Sequence, residues 1–289
     1  MFYSLKEMSE SGKPIGESLK EYARGITGGL LFSLPMLYTM ELWWTGFIAD
    51  PLPLLLYFIV GMFLLMVYNH YVGLRKDPSL WEGMEESVEE MGVGILLTAF
   101  ILWITGRISP EMSFNEISGK IIVEAVTVAI GISVGKSQLG GNSDNDGETE
   151  NLKTKKNNPH VFRTVNIALC GAILIASNVA PTEEVVVIAL ESEVYKLLII
   201  ALLSIGIGGA VLYYINFKGA KTIVVHSNTW NAVVGTLLMY AVALLSSAFM
   251  LWFFGRFEGL SLYGMVAETV VLGFPAALGA SAGRLLIQS

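Results

Sequence analysis

Apolar residues in this chain come in long unbroken runs, without the strict alternation of a half-buried strand or the one-sided stripe of a surface helix. A helix needs ~20 mostly apolar residues to cross a bilayer. Eight runs meet that length: residues 25–47, 52–73, 87–106, 117–136, 162–181, 195–216, 230–254 and 262–285. The pattern predicts an all-α polytopic membrane protein with eight transmembrane helices.

Polar stretches divide these runs. Residues 1–24 form an N-terminal segment expected in the cytoplasm, with no apolar core that would mark a signal peptide. Within it "IGESLKEYARGI" mixes apolar and charged residues at near-helical spacing, which fits a short helix on the bilayer surface or a frayed polar tail. Residues 137–160, "SQLGGNSDNDGETENLKTKKNNPH", are polar and glycine-rich and read as a flexible cytoplasmic linker. The expected organisation is therefore a first four-helix membrane repeat over 25–136, the linker, and a second four-helix repeat over 161–289.

The repeat rests on a duplicated stretch. "AFILWITGR" (99–107) and "AFMLWFFGR" (248–256) share six of nine residues, and their neighbours align in the same order. "EAVTVAIGISVG" (124–135) falls on "ETVVLGFPAALG" (268–279), and more weakly "GLLFSLPMLYTMEL" (29–42) on "AILIASNVAPTEEV" (172–185), which places Thr39 on Thr182 and Glu41 on Glu184. Because four is even, both repeats enter the membrane in the same direction, related by an axis along the membrane normal.

Composition agrees. The 289 residues are 53% hydrophobic and 15% charged, with a mean hydropathy of +0.59, too little polar surface for a water-soluble globule. With the N-terminus inside, 14 of the 18 Lys and Arg residues fall on the cytoplasmic side, and only Arg107, Lys120, Lys196 and Arg256 lie outside. The positive-inside rule thus predicts a multi-pass protein of the cell's inner (plasma) membrane with both termini cytoplasmic. Trp43, Trp44, Trp103 and Trp252 sit near the outer ends of spans, as interfacial anchors do. A net charge of -7 leaves no basic groove for nucleic acid, and the single Cys170, in an apolar run, reads as a small core residue.

Three features recur in both repeats. An acid closes the first span (Glu41, Glu184), an arginine closes the third (Arg107, Arg256), and an acid lies inside the fourth (Glu124, Glu268). The last pair falls about 10 Å below the outer surface, seven residues into the fourth spans. A charge at depth costs roughly 2.5–3.5 kcal/mol on insertion scales. Each acid is therefore held neutral, faces water, or is clasped by Arg107 or Arg256. Gly131 with Gly135 and Gly279 with Gly283 permit close helix approach, and pairing the fourth and eighth spans at the axis would bring Glu124 and Glu268 together. Pro35 and Pro275 free backbone carbonyls that could line a cation site or simply pack as kinks. The acid run "EGMEESVEE" at the start of the third span is expected as a solvated helix extension, with Glu89 or Glu90 as an inner cation mouth in the sharper alternative.

No metal-spaced His cluster, nucleophile turn or P-loop is present, so no enzyme, cofactor or bound metal is expected. The segment "GGLLFSLPMLYTMELWW" (28–44), together with "LWxxGR" at 102–107 and 251–256, resembles a prokaryotic family of predicted integral membrane proteins classed as a domain of unknown function. That resemblance covers nearly the whole chain and carries no activity or site residues. Two functions remain open. One is a channel or secondary transporter for a small cation, H+ or a monovalent metal ion, with Glu124 and Glu268 in its path and Glu41 and Glu184 as an outer vestibule. The other is a non-transporting membrane scaffold or regulator whose Glu and Arg groups only pack helices. The partners are the lipid bilayer and the cation, and a homo-oligomer is left open.

Overall fold

The computed structural model describes residues 15–72, 80–138, 160–214 and 229–286, and every regular element in them is a helix. In chain order these are α1 (Ile15–Leu37), α2 (Met40–Ile48), α3 (Pro51–Val72), α4 (Leu80–Ile104), α5 (Phe114–Gln138), α6 (His160–Val179), α7 (Glu183–Glu191), α8 (Val194–Tyr214), α9 (Thr229–Phe253) and α10 (Leu262–Leu286). The predicted N-terminal segment lies outside the described residues up to position 14, and so does the predicted linker from 139 to 159.

Among the described residues, six helical stretches are long and apolar enough to cross a membrane: Pro51–His70, Trp81–Ile104, Phe114–Ser137, Val194–Val211, Val233–Phe253 and Leu262–Ala282. A seventh appears if α6 and α7, bent by 88° between Val179 and Glu183, are taken as one broken span. Of the eight continuous spans read from hydropathy, the described residues thus give six or seven candidates, and two of the runs are not continuous helices. The first of them, 25–47, divides into α1 and α2, and α1 does not qualify because Lys20, Glu21 and Arg24 occupy its first half. "IGESLKEYARGI", read as a separate surface helix or a tail, is the continuous beginning of α1.

Both interruptions fall on a threonine. Thr39 and Thr182 have extended backbones, and each hydroxyl donates to a carbonyl three residues back, Thr39 to Met36 at 3.0 Å and Thr182 to Val179 at 2.8 Å. A side chain that binds its own preceding turn stops one helix, and the extended residue starts another in a new direction. Hydropathy continues across these points, which is why the runs gave no sign of them.

The "LWxxGR" stretches end α4 and α9. Gly106 and Gly255 have φ of 70° and 68°. Behind Gly106, the Arg107 amide donates to Leu102 at 2.7 Å and the Gly106 amide to Trp103 at 3.1 Å; behind Gly255, Arg256 donates to Leu251 at 2.9 Å and Gly255 to Trp252 at 3.0 Å. This is a Schellman cap, written twice, in which glycine supplies the left-handed residue. α5 opens on a capping box between Ser113 and Glu116, and the Ser261 hydroxyl accepts from the Gly264 amide at the start of α10.

α5 and α10 are the hubs. α5 packs on α1, α2, α3 and α4, and α10 on α6, α7, α8 and α9. The α1–α5 seam closes through Gly28 and Gly29 against Gly131 and Gly135: a Cβ on Gly135 would stand 2.6 Å from the Gly28 Cα. The small-residue stripe therefore acts as predicted, but its partner is α1. On α10, Gly279 meets the Gly171 backbone of α6; Gly283 lies among the residues whose surroundings are not described. The two groups of helices join mainly where α6 meets α1, α3 and α5, and through Tyr57 of α3 stacked on Phe253 of α9, with ring centroids 4.1 Å apart. Cys170 is buried in this core, as expected.

Candidate functional site

Glu124 of α5 and Glu268 of α10 are each 1% exposed, and neither carboxylate has a hydrogen-bond partner among the described residues. Their positions on the two hub helices explain the burial, since a hub is surrounded by protein on most sides. The nearest cation to Glu124 along its own helix is Lys120, one turn away. The Lys120 ammonium is turned elsewhere, donating to the Arg107 carbonyl at 3.0 Å and approaching the Met112 sulfur at 3.6 Å.

Two expectations are corrected here. α5 and α10 are not among the packed helix pairs, so Glu124 and Glu268 do not meet at a shared axis. Among the described residues neither arginine is ion-paired with these acids, although the charge of Arg256 still acts on Glu268. The Arg107 guanidinium lies over the Trp43 ring, 4.1 Å from its centroid, and Arg256 donates to the Pro181 carbonyl in the α6–α7 turn. Each arginine thus braces the elbow of a broken helix. A guanidinium suits this task because its flat face stacks on indole and its fork donates to carbonyls.

Glu41 is partly buried in the first turn of α2, and Glu184 is exposed in the first turn of α7. Acids there are favoured by the helix N-terminus. Among the described residues, no hydrogen bond or ion pair links either of them to Glu124 or Glu268. Beside Glu41, a cavity of about 410 Å³ is lined by Met40, Trp43, Trp44, Phe47, Arg107 and Lys120, among others.

The freed backbone at Pro35 is filled by protein. In an unbroken helix the Met36 amide would donate to the Phe32 carbonyl. Instead the Asn178 amide of α6 stands between them, its Oδ1 accepting from Met36 at 3.1 Å and its Nδ2 donating to Phe32 at 2.9 Å. The Phe32 carbonyl, beside the proline break, is thus taken up by protein. Asn178 was missed in the sequence, where its signal was a lone amide in "LIASNVAP".

At the other end of α5 lies a second polar cluster that sequence reasoning largely missed. Asn69 of α3, Ser87 and Glu90 of α4, and Ser133 and Lys136 of α5 are all at most 5% exposed. The Asn69 amide donates to Glu90 at 2.7 Å and to Ser87 at 3.1 Å, and its carbonyl accepts from Ser133 at 2.5 Å. The Lys136 ammonium lies 3.4 Å from Glu90 and 3.7 Å from Glu89. Glu90 was expected in a solvated acid run and is buried, whereas Glu85 and Glu89 are exposed. Tyr22 of α1 sits beside this cluster, and its hydrogen bond to Glu89 and the charge of that acid push the phenol pKa above its ordinary value.

No curated protein and no solved structure matches the chain. Buried polar groups on long apolar helices are the marks of a protein that works inside a bilayer. Residues 21–287 match the model of the integral membrane protein family DUF2391, and the chain belongs to that family of multi-pass membrane proteins.

Proposed function

We propose that this protein is a channel or secondary transporter for a small cation, H+ or a monovalent metal ion, with Glu124 and Glu268 as its charge-bearing groups. The observation that carries this reading is that both acids are buried on hub helices with carboxylates unpartnered among the described residues. A carboxylate in such a place demands a proton or a cation, and exchanging one for another is what a cation pathway does.

The reading includes two parallel four-helix repeats and eight passes, α1–α2 and α6–α7 each counting as one broken passage. Its support is the correspondence of parts: α2 and α7 have nine residues each, α4 and α9 have 25 each, and α5 and α10 have 25 each. The threonine breaks and the glycine caps recur at matching places. Glu124 lies ten residues into α5 and Glu268 six into α10, so the hubs are offset by one turn relative to their acids. Both termini are placed in the cytoplasm of a cell bounded by the plasma membrane, on the lysine and arginine bias.

Flux through liposomes containing the purified protein tests the proposal. Glu124→Gln and Glu268→Gln keep size and hydrogen bonding while removing titration. Each is expected to lower H+, Na+ or K+ flux, and the double variant to abolish it while the protein stays folded. The scaffold reading is favoured by the arginines, whose contacts are with helix elbows. It would lead if the wild type carries none of these ions or if the folded double variant carries them undiminished.

A further inference from the structure

We propose that Asn69, Ser87, Glu89, Glu90 and Ser133 form a binding site for a monovalent inorganic cation, in which the Lys136 ammonium is a tethered resident. This deepens the cation reading above by giving it a second station on α5, 12 residues beyond Glu124 and so about 18 Å along the helix. Its test reads stability and chemical reactivity, so it can fail while the flux result stands, and the reverse.

The geometry is that of an occupied site with a loose occupant. Glu90 is 1% exposed; its Oε2 accepts from Asn69, while its Oε1, with no hydrogen-bond partner among the described residues, lies 3.4 Å from the Lys136 ammonium, and the charge of Glu86 acts on both groups. A tight charge-assisted bond would close to ~2.7–2.9 Å. Lys136 is instead shared with Glu89 at 3.7 Å, whose side chain is 43% exposed and connects the cluster to the surface. The oxygens nearest the ammonium are the carboxylates of Glu89 and Glu90, hard donors that suit an inorganic cation better than nitrogen or sulfur, and Asn69, Ser87 and Ser133 form the hydrogen-bonded wall behind Glu90.

A purely architectural role is disfavoured by the other half of the chain. On the proposed repeat, Asn69, Glu90, Ser133 and Lys136 fall on Leu212, Met239, Ala277 and Ala280, while Ser87 falls on the buried Thr236, so α8, α9 and α10 form with buried hydroxyls but without the charged pair. The second half is built without this ion pair. Replacing it with apolar groups is commonly neutral or better for stability, so its presence in one half points to a task.

If Lys136 occupies a cation site, deleting its charge leaves a buried carboxylate that an ion from solution will fill. In the purified full-length protein, the thermal midpoint of Lys136→Met should rise saturably, by about 3 °C or more, with NaCl, KCl or LiCl when choline chloride holds ionic strength constant. Glu90→Gln combined with Lys136→Met should remove the rise. An equal response to choline, or a response that survives loss of Glu90, overturns the proposal. Should Lys136→Met fail to fold, amine labelling of the wild type decides: inorganic cation at high concentration should raise Lys136 modification at least twofold over choline, relative to the exposed Lys196. Equal labelling in both salts would equally overturn it.

Discussion

The glycine of "LWxxGR" shows how much one residue can carry. Gly106 and Gly255 hold positive φ so that two amides can turn back onto Leu102 and Trp103, or Leu251 and Trp252. An alanine there meets the left-handed penalty of ~1–2 kcal/mol, so Gly106→Ala and Gly255→Ala should each lower unfolding stability by about that amount, measured by denaturant titration in detergent. Asn178 carries more, because it satisfies two backbone groups. Asn178→Leu strands the Met36 amide and the Phe32 carbonyl, and should cost roughly 1–3 kcal/mol per unsatisfied group. A double-mutant cycle between Arg107 and Glu124 should give a coupling below ~0.5 kcal/mol, because the guanidinium stacks on Trp43 and not on the acid. The duplicated motif was legible as a repeat signal, but its meaning as a helix cap was not, since hydropathy does not register the sign of φ. Glu124 and Glu268 were legible as buried acids, yet the direction taken by Arg107 and Arg256, away from direct pairing with them, was not, because side-chain direction depends on packing between distant segments.

At the scale of elements, the apolar runs identified nearly every long helix and missed the changes of direction within two of them. α2 and α7, nine residues each, are about 13 Å long and too short to span hydrocarbon alone. They continue the hydrophobicity of α1 and α6, so the sequence reads as one run where the backbone makes two helices. The α1–α5 seam gives the test of element packing. Gly135→Val should force α1 away from α5, since the added atoms would enter the Gly28 backbone, and a loss of ~1–3 kcal/mol or more is expected from overpacking. The same substitution at Gly92, where nothing lies within 4 Å of an added Cβ, should have little effect on stability.

For the whole molecule, the proposed orientation predicts which ends are reachable. An impermeant thiol reagent applied to intact cells should modify a cysteine replacing Glu258, in the turn before α10, and spare one replacing Asp144. Modification of both would refute the topology. The exposed apolar side chains of α3 and α8, such as Leu55, Leu56, Leu202 and Leu203, run along the helices, whereas on the hubs they are confined to the first turns, at Phe114 of α5 and at Leu262, Tyr263 and Val266 of α10. That contrast between lipid-facing and hub helices was invisible in hydropathy, which scores α3 and α5 alike as spans.

Asn178 also sets an order of events during synthesis. It emerges from the ribosome 142 residues after Met36, the amide that it satisfies. On the proposed eight-pass arrangement, a nascent chain that has delivered only α1 to α5 to the bilayer still carries an open step in its first helix, in surroundings with little water to fill it. The translocon must therefore release or shelter an unfinished helix until α6 arrives. Completion of the first helix then reports that the second group of helices has begun to enter.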